Sequence, residues 1–238
     1  MSFVDLSTIV LTLRELSTNI PFQRAVNNIK SGKFKREKDN PDYQDRILYT
    51  RQLRAFVYNP AIMDAILSDE KVKSLFFRTF GYNGSLDFTI YPNSWLRDLP
   101  LLDIGKGTYL ADGILLGTNQ VTPDQQWICT GKITIGENCI FDQGCSIGLN
   151  SRLGNNCTIG FEVAIGLKNQ LGENVKIGGR SNIAHGCRIG NNVTIPDCCR
   201  IGSFSIIEDG VELEEFSDGP AFSLVTKEGI FSRRRMVA

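Results

Sequence analysis

The stretch from Ile135 to Gly154 reads IGENCIFDQGCSIGLNSRLG, and its large apolar residues fall at every sixth position: Ile135, Phe141, Ile147 and Leu153. The period continues without a slip through Ile159, Ile165, Leu171, Ile177, Ile183, Ile189, Ile195, Ile201 and Ile207 to Leu213. Nine of these fourteen residues are followed directly by glycine, and small or β-branched residues such as Cys139, Cys145, Ser151, Cys157 and Val163 stand two places before them. A helix of about 3.6 residues per turn cannot keep a six-residue period on one side. The run therefore reads as short strands, each turning one large side chain inward and bending at a small residue. Three such units close a triangular coil, and coils stack at strand spacing, about 4.8 Å, so that residues eighteen apart form ladders.

The same spacing occurs earlier in a different phase, at Ile104-Gly105, Leu110-Ala111 and Leu116-Gly117. Between Leu116 and Ile135 the phase shifts by one residue, which predicts a loop extruded near 117–132; insertions in repeat arrays map to one face, often the binding face. The array is expected over 101–216. Residues 1–100 read as a mainly helical region with an extended lead-in. Leu6, Ile9, Val10, Leu13 and Leu16 follow one helical face. Asn40-Pro41 reads as a cap starting a helix that Asn59-Pro60 stops near Tyr58, and a third helix runs from Ala61 toward Gly81. Residues 217–238 are expected to cover the open end of the coil, since bare strand edges invite aggregation.

With 42% hydrophobic and 22% charged residues, the composition is that of an ordinary globular protein. Lys plus Arg balances Asp plus Glu, so no global field draws in nucleic acid or an anionic membrane. Arg233-Arg234-Arg235 is the one strong basic run and reads as a solvated tail. Asp5, Arg14 and Glu15 interrupt the N-terminal apolar residues before a signal-peptide core or membrane span forms, and a cytoplasmic location is expected. Five of the seven cysteines, Cys139, Cys145, Cys157, Cys187 and Cys199, occupy the small inward place, where thiols act as buried hydrophobes. With one histidine and no C-x-x-C pair, no metal is expected.

That histidine, His185, is the one side chain of a type that ordinarily titrates near neutrality. It stands two residues after Ile183, at an outward place. Its ladder neighbours are Leu149, Leu167 and Ser203, where equivalent outward places hold Glu137, Asn155, Glu173, Asn191, Asp197 and Asp209. Leucine at two such places predicts a covered ledge, a subunit interface or the wall of a ligand groove.

The [Ile/Leu/Val]-Gly-x-x-[small]-x hexads over roughly 103–213 resemble those of the hexapeptide-repeat acyltransferases, which implies a left-handed parallel β-helix and a mainly β fold behind the helical region. The text Asn182-Ile183-Ala184-His185-Gly186-Cys187-Arg188-Ile189-Gly190 is similar to the Ile-Ala-His-Asp/Asn-Cys-x-Ile/Val-Gly stretch of the sugar O- and N-acyltransferases. Carried over, His185 is the general base, with Gly186 in place of the family's Asp or Asn. The resemblance further implies an acyl-CoA co-substrate such as acetyl-CoA, a sugar or similar polar acceptor, and a homotrimer with sites between subunits. Gly178-Gly179 is the candidate for close backbone approach to the thioester arm, and Lys168 and Arg188, bordering the ledge, are the candidates for the CoA phosphates. Another branch of the family keeps an essential histidine in a loop; here Asn119 stands there, suited to positioning an acceptor but not to proton transfer. The alternative reading is a non-catalytic β-helix scaffold. A γ-class carbonic anhydrase on the same fold needs three zinc-ligating histidines, which one histidine excludes.

Overall fold

The computed structural model describes residues 5–233. Five helices open the chain, each started by a side chain that accepts otherwise orphaned backbone N–H groups. In α1 (Leu6–Thr18) the cap is Asp5, and the buried stripe is Ile9, Leu13 and Leu16. Asn19 and Asn40 begin α2 (Ile20–Asn27) and α3 (Pro41–Val57), each with proline in the first turn. The predicted third helix is two, α4 (Pro60–Leu67) and α5 (Glu70–Thr79). Asp69 splits them, because its carboxylate accepts the amides of Lys71 and Val72 and restarts the helix. Their shared core is aromatic. Phe22, Tyr49, Phe56, Phe76, Phe77, Phe80 and Tyr82 are all buried and continue into the apolar interior of the coil.

From Phe88 onward the chain winds as a left-handed parallel β-helix with three faces. The first holds Phe88–Ile90, Thr108–Leu110, Ile140–Phe141, Thr158–Ile159, Lys176–Ile177 and Thr194–Ile195. The second runs from Leu115–Gly117 through Ser146–Gly148, Ala164–Ile165, Asn182–Ile183 and Arg200–Ile201 to Asp218–Gly219, and the third from Leu102–Ile104 to Ser223–Thr226. The ladder thus extends past both ends of the 101–216 array read from the sequence. Phe88–Ile90 already pairs with Thr108–Leu110, and Ser223–Thr226 still pairs with Ile206–Ile207 before Gly229–Ser232 turns back antiparallel to close the edge. Arg234 and Arg235 of the basic run lie outside the described residues.

Register explains the phase shift. Ile147 pairs with Ile165, eighteen residues on, but Leu116 pairs with Ile147, so that coil carries thirteen extra residues, two hexads plus one. They form a hairpin, Asn119–Val121 and Trp127–Thr130, to which Gly32–Lys35 of the helical region adds a third strand. The extruded loop is therefore the joint between the two parts of the molecule.

Coil stacking leaves no room at most of the glycines that directly follow an inward apolar residue. A Cβ on Gly154 would lie 2.6 Å from the Gly172 carbonyl oxygen, a backbone atom of the next coil that cannot give way. Gly154→Ala is expected to cost about 1–3 kcal/mol by urea unfolding. Gly32→Ala, whose Cβ meets nothing within 4 Å, is expected to shift stability by no more than about 0.5 kcal/mol.

Candidate active site

Between the second and third faces the chain turns a corner, and the register stacks Thr118, Leu149, Leu167, His185 and Ser203 there in one column. At other corners a side chain in the corresponding place accepts the backbone N–H of the residue eighteen before it. Asn155 takes Glu137 N–H at 2.8 Å, Asn191 takes Glu173 N–H at 2.9 Å, Asp197 takes Gly179 N–H at 2.6 Å and Asp209 takes Asn191 N–H at 2.8 Å. His185 does the same with its ring: Nδ1 accepts Leu167 N–H at 2.9 Å. With Nδ1 an acceptor, the neutral imidazole carries its hydrogen on Nε2. The residue is exposed.

The ladder stops there. Ser203 stands where the next Asn or Asp would accept the amide of His185, and no bond joins them; among the described residues that N–H has no acceptor. It is a donor open at an exposed corner, one residue from the imidazole.

The expected apolar ledge is only partly present. Leu149 is 4% exposed, so it is core, lying below Thr118 where the hairpin leaves the coil, whereas Leu167 and Ser203 are half-buried. Lys168 is exposed beside Leu167, in the left-handed conformation at φ 60°. Arg188 is exposed on the third face in a ladder with Gln170 and Ile206. An open groove of about 580 Å³ follows that face, lined by Gln170, Gly172, Arg188 and Asn191 but also by Glu208 and Asp209, which oppose an anionic ligand.

Two candidates are not brought to this cluster. Gly178-Gly179 forms the preceding corner, one strand away, and its amides are already engaged, Gly178 with Ile195 O at 2.7 Å and Gly179 with the Asp197 carboxylate. Asn119 follows Thr118 at the far end of the His185 column, and the coils of Leu149 and Leu167 separate Thr118 from His185, a rise of about 14 Å. The Asn119 amide donates to Asp98 at 3.2 Å. Asp98, 1% exposed, also receives Arg46 Nη1 at 2.8 Å, Arg46 Nη2 at 2.9 Å and Thr118 Oγ1 at 2.8 Å.

Phe204 and Phe222 escaped the sequence reading. Phe204 is half-exposed with φ 62°, its ring stacks on Phe222 at 5.2 Å, and a Cβ at Gly186 would lie 2.7 Å from it. The signal was in the ladder Asn150, Lys168, Gly186, Phe204, Phe222, where two bulky rings occupy the left-handed places that the repeat elsewhere gives largely to asparagine or glycine. The five inward cysteines are all buried. Burial pushes the Cys145 thiol up to about 11 and raises Cys187 and Cys199 as well, so these three are not ready nucleophiles. Among the described residues no group of three or more His, Cys, Asp or Glu is placed to hold a metal, and no helix is long and apolar enough to cross a membrane.

Residues 170–203, which include His185, match the family model described as "Bacterial transferase hexapeptide (six repeats)", so this part of the chain is a hexapeptide-repeat array. No curated protein matches the chain. Similar solved structures include a putative acetyltransferase of Bacillus cereus, with 15% identity, 52% of this chain and 68% of that chain covered, and TM-score 0.36. The UDP-N-acetylglucosamine O-acyltransferase of Moraxella catarrhalis is 16% identical over 66% of this chain and 72% of its own, with TM-score 0.42. A variant of the GDP-perosamine N-acetyltransferase of Caulobacter crescentus, in complex with CoA and GDP-perosamine, is 21% identical over 70% and 66%, with TM-score 0.28.

Proposed function

We propose that the chain is an acyl-CoA-dependent acyltransferase, with acetyl the simplest acyl group, acting on a hydroxyl or amine of a sugar or similar polar acceptor. The observation that carries this reading is an exposed imidazole beside an unclaimed backbone N–H, inside the stretch that matches the transferase repeat. His185 takes the acceptor proton as the acceptor oxygen or nitrogen bonds to the thioester carbon, and the His185 N–H holds the oxyanion that forms. The C–S bond then breaks, and the proton passes from the imidazole to the departing CoA thiolate.

In the resting ring Nε2 carries the hydrogen and the Nδ1 lone pair is engaged by the Leu167 amide. Base work at Nδ1 requires the ring to turn and release that amide, a bond worth about 1 kcal/mol, so on the order of a tenth of the rings stand turned. Lys168 stands within this corner, level with Gly186 one coil away, and Arg188 begins the third face just past it; both are the proposed partners of the CoA phosphates. A cytoplasmic homotrimer, with a neighbouring coil completing the groove, is part of the same proposal. The second reading, a scaffold, is favoured by one fact: the His185–Leu167 bond repeats what asparagine and aspartate do at corners with no chemistry.

Acetyl-CoA at one hundred times its Kd is expected to stabilise the fold by about 2.7 kcal/mol, read as a rise in melting temperature; no rise at millimolar acetyl-CoA and CoA contradicts the proposal. Ser203→Asn supplies the missing ladder acceptor. It is expected to stabilise the fold by about 0.5–1.5 kcal/mol while lowering acyl transfer on the order of 10²-fold, as losing one oxyanion donor does. A more stable variant with unchanged turnover removes this amide from the mechanism.

A further inference from the structure

We propose that the cavity between the helical region and the hairpin is a binding site for a phosphate group, distinct from the His185 corner. The cavity measures about 180 Å³, many times the room one ordered water needs. Its wall carries Lys30, Lys33 and Arg46 against a single carboxylate, Asp42.

Arg46 makes this a built site. Its side chain is 9% exposed and fixed end-on by both oxygens of Asp98 through Nη1 and Nη2. A guanidinium has five N–H donors in a rigid plane. Asp98 receives two, and no other acceptor for Arg46 is found among the described residues. The cavity that Arg46 lines is where an oxyanion meets the remaining donors without paying to order the side chain.

Both lysines stand on the segment joined to the hairpin: the Lys30 carbonyl accepts Thr130 Oγ1 at 2.6 Å, and Lys33 Nζ lies 4.6 Å from the Trp127 ring centroid. A phosphate dianion matches this set. Asp42 repels bare phosphate but accepts a hydroxyl, so a hydroxylated phosphate monoester fits better than the free ion. This site does not depend on the acyltransferase reading.

The test is isothermal titration of the full chain with inorganic phosphate and, separately, with a hexose 6-phosphate, at constant ionic strength against chloride. Saturable millimolar binding is expected for both, with the hexose phosphate several-fold tighter; equal affinities assign the site to free phosphate. Lys30→Ala/Lys33→Ala, at two exposed positions, is expected to weaken both ligands at least tenfold without moving the melting temperature. Asp42→Asn is expected to tighten inorganic phosphate two- to fivefold by removing the repulsion, a gain that general loosening of the fold would not produce. Absence of saturable binding by the folded wild type overturns the proposal, as does binding that neither variant changes.

Discussion

His185→Asn is expected to melt at the wild-type temperature and to lose on the order of 10²–10⁴ of its acyl-transfer rate, the range that positioned acid–base groups contribute. The two effects separate because the imidazole has two jobs. Its ladder job needs only an acceptor for the Leu167 N–H, and Asn155 and Asn191 show that an asparagine oxygen in this register reaches the amide at 2.8 and 2.9 Å. Its proposed chemical job needs a group that accepts and returns a proton, which an amide does not do. His185→Ala removes both, and is expected to lower stability by about 1 kcal/mol besides. The assay is release of CoA from acetyl-CoA with an acceptor found by screening sugars and amino sugars. If His185→Asn retains full turnover, the histidine is only a ladder residue and the scaffold reading gains.

The largest loss of stability is expected at Asp98, not in the coil. Asp98→Ala leaves the guanidinium of Arg46 buried and uncompensated, a situation that costs about 3–5 kcal/mol, a large part of a domain's usual margin of about 5–15 kcal/mol. It also takes the shared acceptor from Thr118 and Asn119, where the hairpin leaves the coil. Urea unfolding of Asp98→Ala and of the double variant Arg46→Met/Asp98→Leu separates the causes. The double change is expected to recover most of the loss, since apolar replacement of a buried pair is often neutral or better. A cost below about 1 kcal/mol for Asp98→Ala means the pair is not buried as described.

The coil was legible because each inward residue obeys one local rule, repeated until chance is excluded. Ile183 sits on Ile165 and under Ile201 as the period requires. The same rule put His185 outward and marked the interruption after Leu116. It failed where contact depends on partners outside the repeat. Leu149 looked exposed because its place is outward at other corners, yet it is buried in the column between Thr118, where the hairpin leaves the coil, and Leu167. Arg46 and Asp98 are 52 residues apart with no shared motif, so neither could be read as half of a pair. Gly178 and Gly179 have the right composition for close approach, but only the three-dimensional ladder shows that their amides are spent. The hydrogen-bond direction at Nδ1 was likewise invisible, and it changes the chemistry from a ready base to one that must turn.

Whether acyl transfer takes place at the His185 corner is decided by a structure of the protein with acetyl-CoA. The thioester carbonyl oxygen is expected about 3 Å from the His185 backbone N–H, with the pantetheine arm along the corner column and the phosphates at Lys168 or Arg188. A complex with CoA bound at another corner, or with the imidazole still bonded to the Leu167 amide and out of reach of the thioester, contradicts transfer at this corner.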